Sequence, residues 1–157
     1  IHITEAIIPE FMLCYVYQAK ATNRENGDKI IDTLPNNEEW KKAEAFLIHS
    51  NETHRAEYFS GKNPCYINAK ITDELRHNGI NHLLTDLPSV DREEDGGLLE
   101  AHKSFFNYPE EKSLHKTITE LVCLPNGLKE GLYLVKIAPG PIESDAAPSN
   151  VVLYPFS

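Results

Sequence analysis

Cysteine is scarce. Cys14, Cys65 and Cys123 are the only three in 157 residues, they lie far apart, and none belongs to a CxxC pair. That excludes a disulfide framework and a zinc ribbon, and reads as reduced, mostly buried thiols of a cytoplasmic protein. Basic residues are scarce too: 15 Lys and Arg stand against 24 Asp and Glu, a net charge of −9. Such a chain repels a phosphate backbone and carries no basic stripe, so nucleic acid is excluded as a partner class. No apolar run approaches the roughly 18–20 residues of a membrane-spanning helix, so no membrane partner is expected. No basic start followed by an apolar run marks a signal peptide. HExxH, GxSxG, GxGxxG and P-loop motifs are all missing, which removes the commonest zincin, hydrolase-elbow and nucleotide signals. Internal repeats and low-complexity tracts are also lacking.

What is present is the composition of an ordinary folded domain, 41% hydrophobic and 25% charged. The length predicts a single domain over 1–157 with a real core. FMLCYVY (11–17) and AFLIHS (45–50) read as strands, and ATNRENGDK (21–29) as a turn about Asn26-Gly27. Asn36 or Asn37 is placed to cap a short helix from Glu38. Residues 51–66 read as a long surface loop. A helix is predicted over 68–78, capped by Asn68, with Ile71 and Leu75 on one face and Gly79 as its stop. A strand follows at 80–87, then the Gly96-Gly97 break and a second helix over 98–106. Residues 117–124 and 131–139 are strands, 139–150 is irregular, and 151–156 is a last strand. The expected class is therefore α/β, a mixed sheet with about six strands and three helices.

The chemistry concentrates after residue 85. TDLPSVDREEDGG (85–97) packs Asp86, Asp91, Glu93, Glu94 and Asp95 behind an apolar strand. Asp86 falls at a strand's C-terminal end, where open α/β sheets bind ligands. The stretch is either a solvated loop that caps the next helix or the wall of a site. Of the seven histidines, His77 falls at a helix end and His82 inside a strand, both structural positions. His102 follows the acidic loop. Glu120 interrupts an apolar strand. It either points to solvent by alternation or is paired or metal-bound, because burying a lone carboxylate is costly.

HLLTDLPSVDREEDGGLLEAHKSFF (82–106), TITELVCLPNGLKEGLYLVKIAP (117–139) and DAAPSNVVLY (145–154) together resemble the cyclase family of metal-dependent hydrolases, which includes the arylformamidases (kynurenine formamidases). The resemblance covers roughly residues 45–154 and is most specific at 82–106. It implies a three-layer β/β/α swivelling domain and hydrolysis of amide or lactone-like bonds in a small-molecule substrate. It also implies one or two divalent metals, zinc or manganese, and a homo-oligomer. By position, His102 and Glu120 resemble the second-half metal ligands. Asp86, Ser89 and Asp91 match a DxxSxD turn that either lines the substrate pocket or is structural. The family's HxxxHxD motif is missing. His2 matches its last His and is the candidate catalytic base or a second-metal ligand, and the start on Ile1 raises the expectation of a missing N-terminal segment. The Arg that relatives carry after the DAxPx turn is Asn150 here. The alternative to a hydrolase is a non-catalytic cyclase-fold pseudoenzyme or assembly module.

Overall fold

The computed structural model describes residues 2–51 and 59–156. In chain order the strands are β1 (Met12–Gln18), β2 (Thr22–Asn23), β3 (Lys29–Ile31), β4 (Ala45–His49) and β5 (Tyr66–Ile67). They continue with β6 (His82–Thr85), β7 (Thr117–Thr119), β8 (Gly131–Pro139) and β9 (Ser149–Pro155). The α-helices are α1 (Ala69–His77) and α2 (Glu100–Phe106). Six strands form a mixed sheet in the order β7-β6-β4-β1-β8-β9. β1, β4, β6 and β7 run parallel, β8 is antiparallel to β1, and β9 is antiparallel to β8. A second sheet has the order β2-β3-β5. Two sheets and a pair of helices make the mixed α/β architecture expected from the sequence. Among the described residues no helix is long and apolar enough to cross a membrane.

Strand alternation divides the core in two. Tyr15, Tyr17, Phe46, Ile48 and Leu83 face α1, α2 and the small sheet, where they pack with Trp40, Ile31, Ile67, Leu75 and Phe105. Met12, Cys14, Val16, Ala45, Leu47 and Leu84 face the other way and pack with Val135 and Ile137 of the curled β8–β9 end. The central strands are buried on both faces, which explains their continuous apolar sequences.

Several boundaries differ from expectation. The segment at Glu38 is a 3-10 turn, Glu39–Lys42, not an α-helix. Asn37 still receives the Glu39 N–H at 3.0 Å, and Trp40 is buried. The Asn26-Gly27 turn forms, but the polar residues around it pair as β2 and β3. The presumed surface loop 51–66 lies outside the described residues at 52–58 and ends in β5, which pairs with β3. Cys65 there is buried and Cys123, expected inside, is exposed. α1 is as expected: Asn68 receives the Lys70 N–H at 3.0 Å, and Gly79 adopts φ +86° after the last turn. β7 stops at Thr119, five residues short, because Leu121 turns to φ +55° and donates its N–H to Leu87. Glu120 therefore follows a strand end and does not interrupt a strand.

Candidate functional site

The acidic loop caps the start of α2. That helix has no capping side chain of its own at Leu99, which sits in the left-handed region at φ 49°. Asp95 instead accepts the N–H groups of Gly97 (2.7 Å) and Leu99 (2.6 Å). Asp91 accepts those of Ala101 (2.6 Å) and His102 (3.4 Å). Carboxylates there satisfy orphan donors and complement the positive helix end. Glu93 reaches back to the N–H groups of Gly61 and Asn63, and Arg92 pairs with the buried Asp28. Leu98 and Leu99, inside the helix expected over 98–106, precede it and are exposed.

The same loop orients two side chains. Asp91 Oδ2 lies 2.6 Å from His102 Nδ1, which leaves Nε2 pointing away from the helix and 3.7 Å from Glu120 Oε1. Glu120 Oε1 in turn accepts the Val90 N–H at 2.9 Å. Ser89 Oγ accepts the Asp91 N–H at 3.1 Å and closes the turn. Burial alone would lower the His102 pKa, but the Asp91 hydrogen bond and the Glu120 charge outweigh it and raise the value. Burial alone would raise that of Asp91, but its bonds from His102 and Ala101 win and lower it.

The pair opens on a cavity of about 530 Å³, whose walls include His2, Phe106, Tyr108, Leu114, Ile118 and Asp145. A neighbouring cavity of about 710 Å³ shares Ile3, Ile118, Glu120 and Asp145, so Glu120 stands on the wall common to both. His2 is exposed at the rim, ahead of a 3-10 turn at Ile3–Glu5. The structure thus brings His2, His102 and Glu120 to one cavity. Phe105 is fully buried core, whereas Phe106 and Tyr108 reach the cavity.

Asp86 does not reach this cavity. Its Oδ1 and Oδ2 accept the Ser50 N–H (2.9 Å) and hydroxyl (3.1 Å), and His49 Nε2 lies 3.7 Å from Oδ2. Burial raises the Asp86 pKa against the lowering effect of those Ser50 bonds and of His49. His49 Nδ1 is buried and, among the described residues, has no hydrogen-bond partner. Its role was not visible in sequence; a His ending an apolar strand was the one signal. His54 lies outside the described residues.

A divalent cation can be tested against the pair. An imidazole nitrogen and a carboxylate oxygen are suitable donors, and tetrahedral ligands at about 2.0–2.1 Å stand roughly 3.3–3.4 Å apart. The observed 3.7 Å is close to that, and the Asp91 brace on Nδ1 is what a ligating imidazole needs. The pair fits. Among the described residues, however, no group of three or more His, Cys, Asp or Glu is placed to hold a metal, so the expected ligand set is not completed there.

No protein-family model and no curated protein matches the chain. Solved structures do. One is a potential metal-dependent hydrolase with cyclase activity, at TM-score 0.62 and 20% identity over 92% of this chain. Another is a predicted metal-dependent hydrolase from Bacillus stearothermophilus, at TM-score 0.53 and 24% identity over 69% of this chain. The aligned parts make up 65% and 48% of those chains. Identities this low carry the architecture and nothing finer: the chain shares the mixed α/β fold of these two structures.

Proposed function

We propose that the chain is part of a metal-dependent hydrolase acting on amide or lactone-like bonds of a small molecule, with arylformamide-like compounds as the leading class. The observation that carries the reading is the convergence of His102 Nε2 and Glu120 Oε1 at 3.7 Å on a cavity wall, with Asp91 bracing the imidazole. The shared fold with two hydrolases supports it.

His102 and Glu120 would hold a divalent ion, zinc or manganese, beside ligands from outside the described residues. Such an ion supplies Lewis acidity toward a carbonyl and toward water. The chain's own residues do the rest. Asp91 keeps the proton on His102 Nδ1, so Nε2 presents its lone pair. The Val90 N–H fixes one Glu120 oxygen. Phe106, Tyr108, Leu114 and Ile118 offer an apolar wall to an acyl or aryl group and exclude water from it. His2, at the rim, is the candidate base that takes a proton from the attacking water.

The test is calorimetric titration with Zn²⁺ and Mn²⁺, followed by hydrolysis assays on aryl formamides and lactones. Glu120→Gln is expected to abolish metal-stimulated turnover; full turnover in that variant removes Glu120 from the site. A folded protein that binds neither ion would favour the non-catalytic module.

A further inference from the structure

We infer that Asp86 is a positioning residue that sets the His102–Glu120 spacing by tying the 86–91 turn to the end of β4. The inference rests on the reading of that pair as the working pair. Asp86 itself touches neither residue. Its side chain is 10% exposed and receives both the N–H and the hydroxyl of Ser50, the residue that follows β4. The next links lead straight to the site. Leu87 donates its N–H to Thr85 Oγ1 at 3.2 Å and accepts the Leu121 N–H at 2.9 Å. Thr85 accepts the Val122 N–H at 3.0 Å. Both bonds fix the chain immediately after Glu120, at Leu121 and Val122, and so the direction of Glu120. Val90 then donates to Glu120, and Asp91 holds His102 and the first turn of α2.

One turn of six residues therefore carries both contacts that orient the pair, Val90 to Glu120 and Asp91 to His102. Its backbone is anchored to β7's end by Leu87 and to β4's end by the Asp86 carboxylate. Removing the carboxylate removes these two Ser50 contacts, so that beyond the Ile48–Thr85 pairing the turn is less firmly tied to β4. A displacement of a fraction of an ångström at Val90 or Asp91 is passed to Glu120 and His102 directly, because each is held by a single short contact.

The experiment compares wild type with Asp86→Ala, Asp86→Asn and Ser50→Ala in two readouts. The first is the imidazole ¹⁵N shifts of His102, recorded metal-free at one pH and assigned with His102→Asn. The second is Zn²⁺ affinity by calorimetry. Asp86→Ala is expected to move the His102 shifts and weaken Zn²⁺ binding tenfold or more, the scale of outer-shell losses at metal sites. Asp86→Asn, which keeps an acceptor for the Ser50 N–H, is expected to recover most of both. Ser50→Ala should move both in the same direction by less. Leu75→Ala, on the buried face of α1, supplies a matched loss of thermal stability and should leave the His102 shifts in place. Wild-type shifts and affinity in a folded Asp86→Ala protein overturn the inference. Should that variant not fold, wild-type shifts in Ser50→Ala overturn it instead. A wild-type protein that takes up neither Zn²⁺ nor Mn²⁺ would sink the hydrolase reading alone, and the metal-free NMR arm would still decide the role of Asp86.

Discussion

At the residue scale, the histidines separate by what surrounds them. His102 is held by a carboxylate and titrates above its ordinary range, whereas His82 is buried, bonded through Nδ1 to Thr117 Oγ1 at 2.9 Å. Burial, with the charge of His115, pushes the His82 pKa from 6.5 down to about 4. Its folded-state pKa is below its unfolded one, so the unfolded chain binds the extra proton between those values. The stability linked to the neutral ring is whole above pH 6.5 and is lost as the pH falls through about 4. The size is roughly 3 kcal/mol. Urea unfolding across that range should show the decline, and His82→Asn, which keeps a polar partner for Thr117, should flatten it. An unchanged pH slope in the variant would mean that folding does not lower the His82 pKa. None of this could be read from the sequence beyond the placement of His82 in a strand. Glu120 illustrates the same limit. A carboxylate in TITELVCL demanded either solvent or a partner, and only the left-handed turn at Leu121 decides that it has a partner.

At the element scale, the strongly apolar strands and the capped helix α1 were legible because burial on one or both faces leaves a plain periodic mark. The weak elements were not. β2, β3 and β5 are two or three residues long, and their polar outer faces look like loop. The true start of α2 was hidden for another reason: its caps, Asp91 and Asp95, lie nine and five residues before Glu100. A local capping rule looks only at the residue next door. The end of β7 offers a prediction of its own. Leu121 adopts φ 55° while 58% exposed, so it carries the left-handed penalty of a side chain that buries little. Leu121→Gly should raise stability, by up to about 1 kcal/mol once the added freedom of the unfolded chain is subtracted. A clear loss in chemical denaturation would show that the Leu121 side chain packs more than its exposure suggests.

At the scale of the whole molecule, the parallel strands deliver their chemistry at one edge. Ser50 and His49 end β4, Asp86 follows β6, and Glu120 follows β7, as expected for ligand sites of open α/β sheets. The layer beneath them must be rigid for such contacts to hold. Phe46 is its centre: fully buried in β4, stacked on Tyr15 at 5.9 Å and met edge-on by Trp40 at 5.8 Å. Phe46→Ala should cost about 3–5 kcal/mol, measured by thermal or urea unfolding. A loss below about 1 kcal/mol would mean that the aromatic layer collapses into the space. The overall class was legible from the sequence; His102 and Glu120 were singled out there by resemblance, and the structure sets them 3.7 Å apart. The spatial partners that give the pair its geometry, Val90 and Ser50, were not, because one acts through its backbone and the other is 36 residues away from the carboxylate it holds.

The acidic run bears on how this protein can be engineered. A redesign that sought a less negative surface would pick residues 91–95 first, since they look like surplus charge in a chain of net −9. Yet Asp91, Glu93 and Asp95 each clasp main-chain N–H groups. Lysine at any of the three would unfasten a loop or the head of α2 and leave solubility a secondary matter. Among the described residues Glu94 has no such clasp. It is the position in that stretch where charge can be traded without touching the fold.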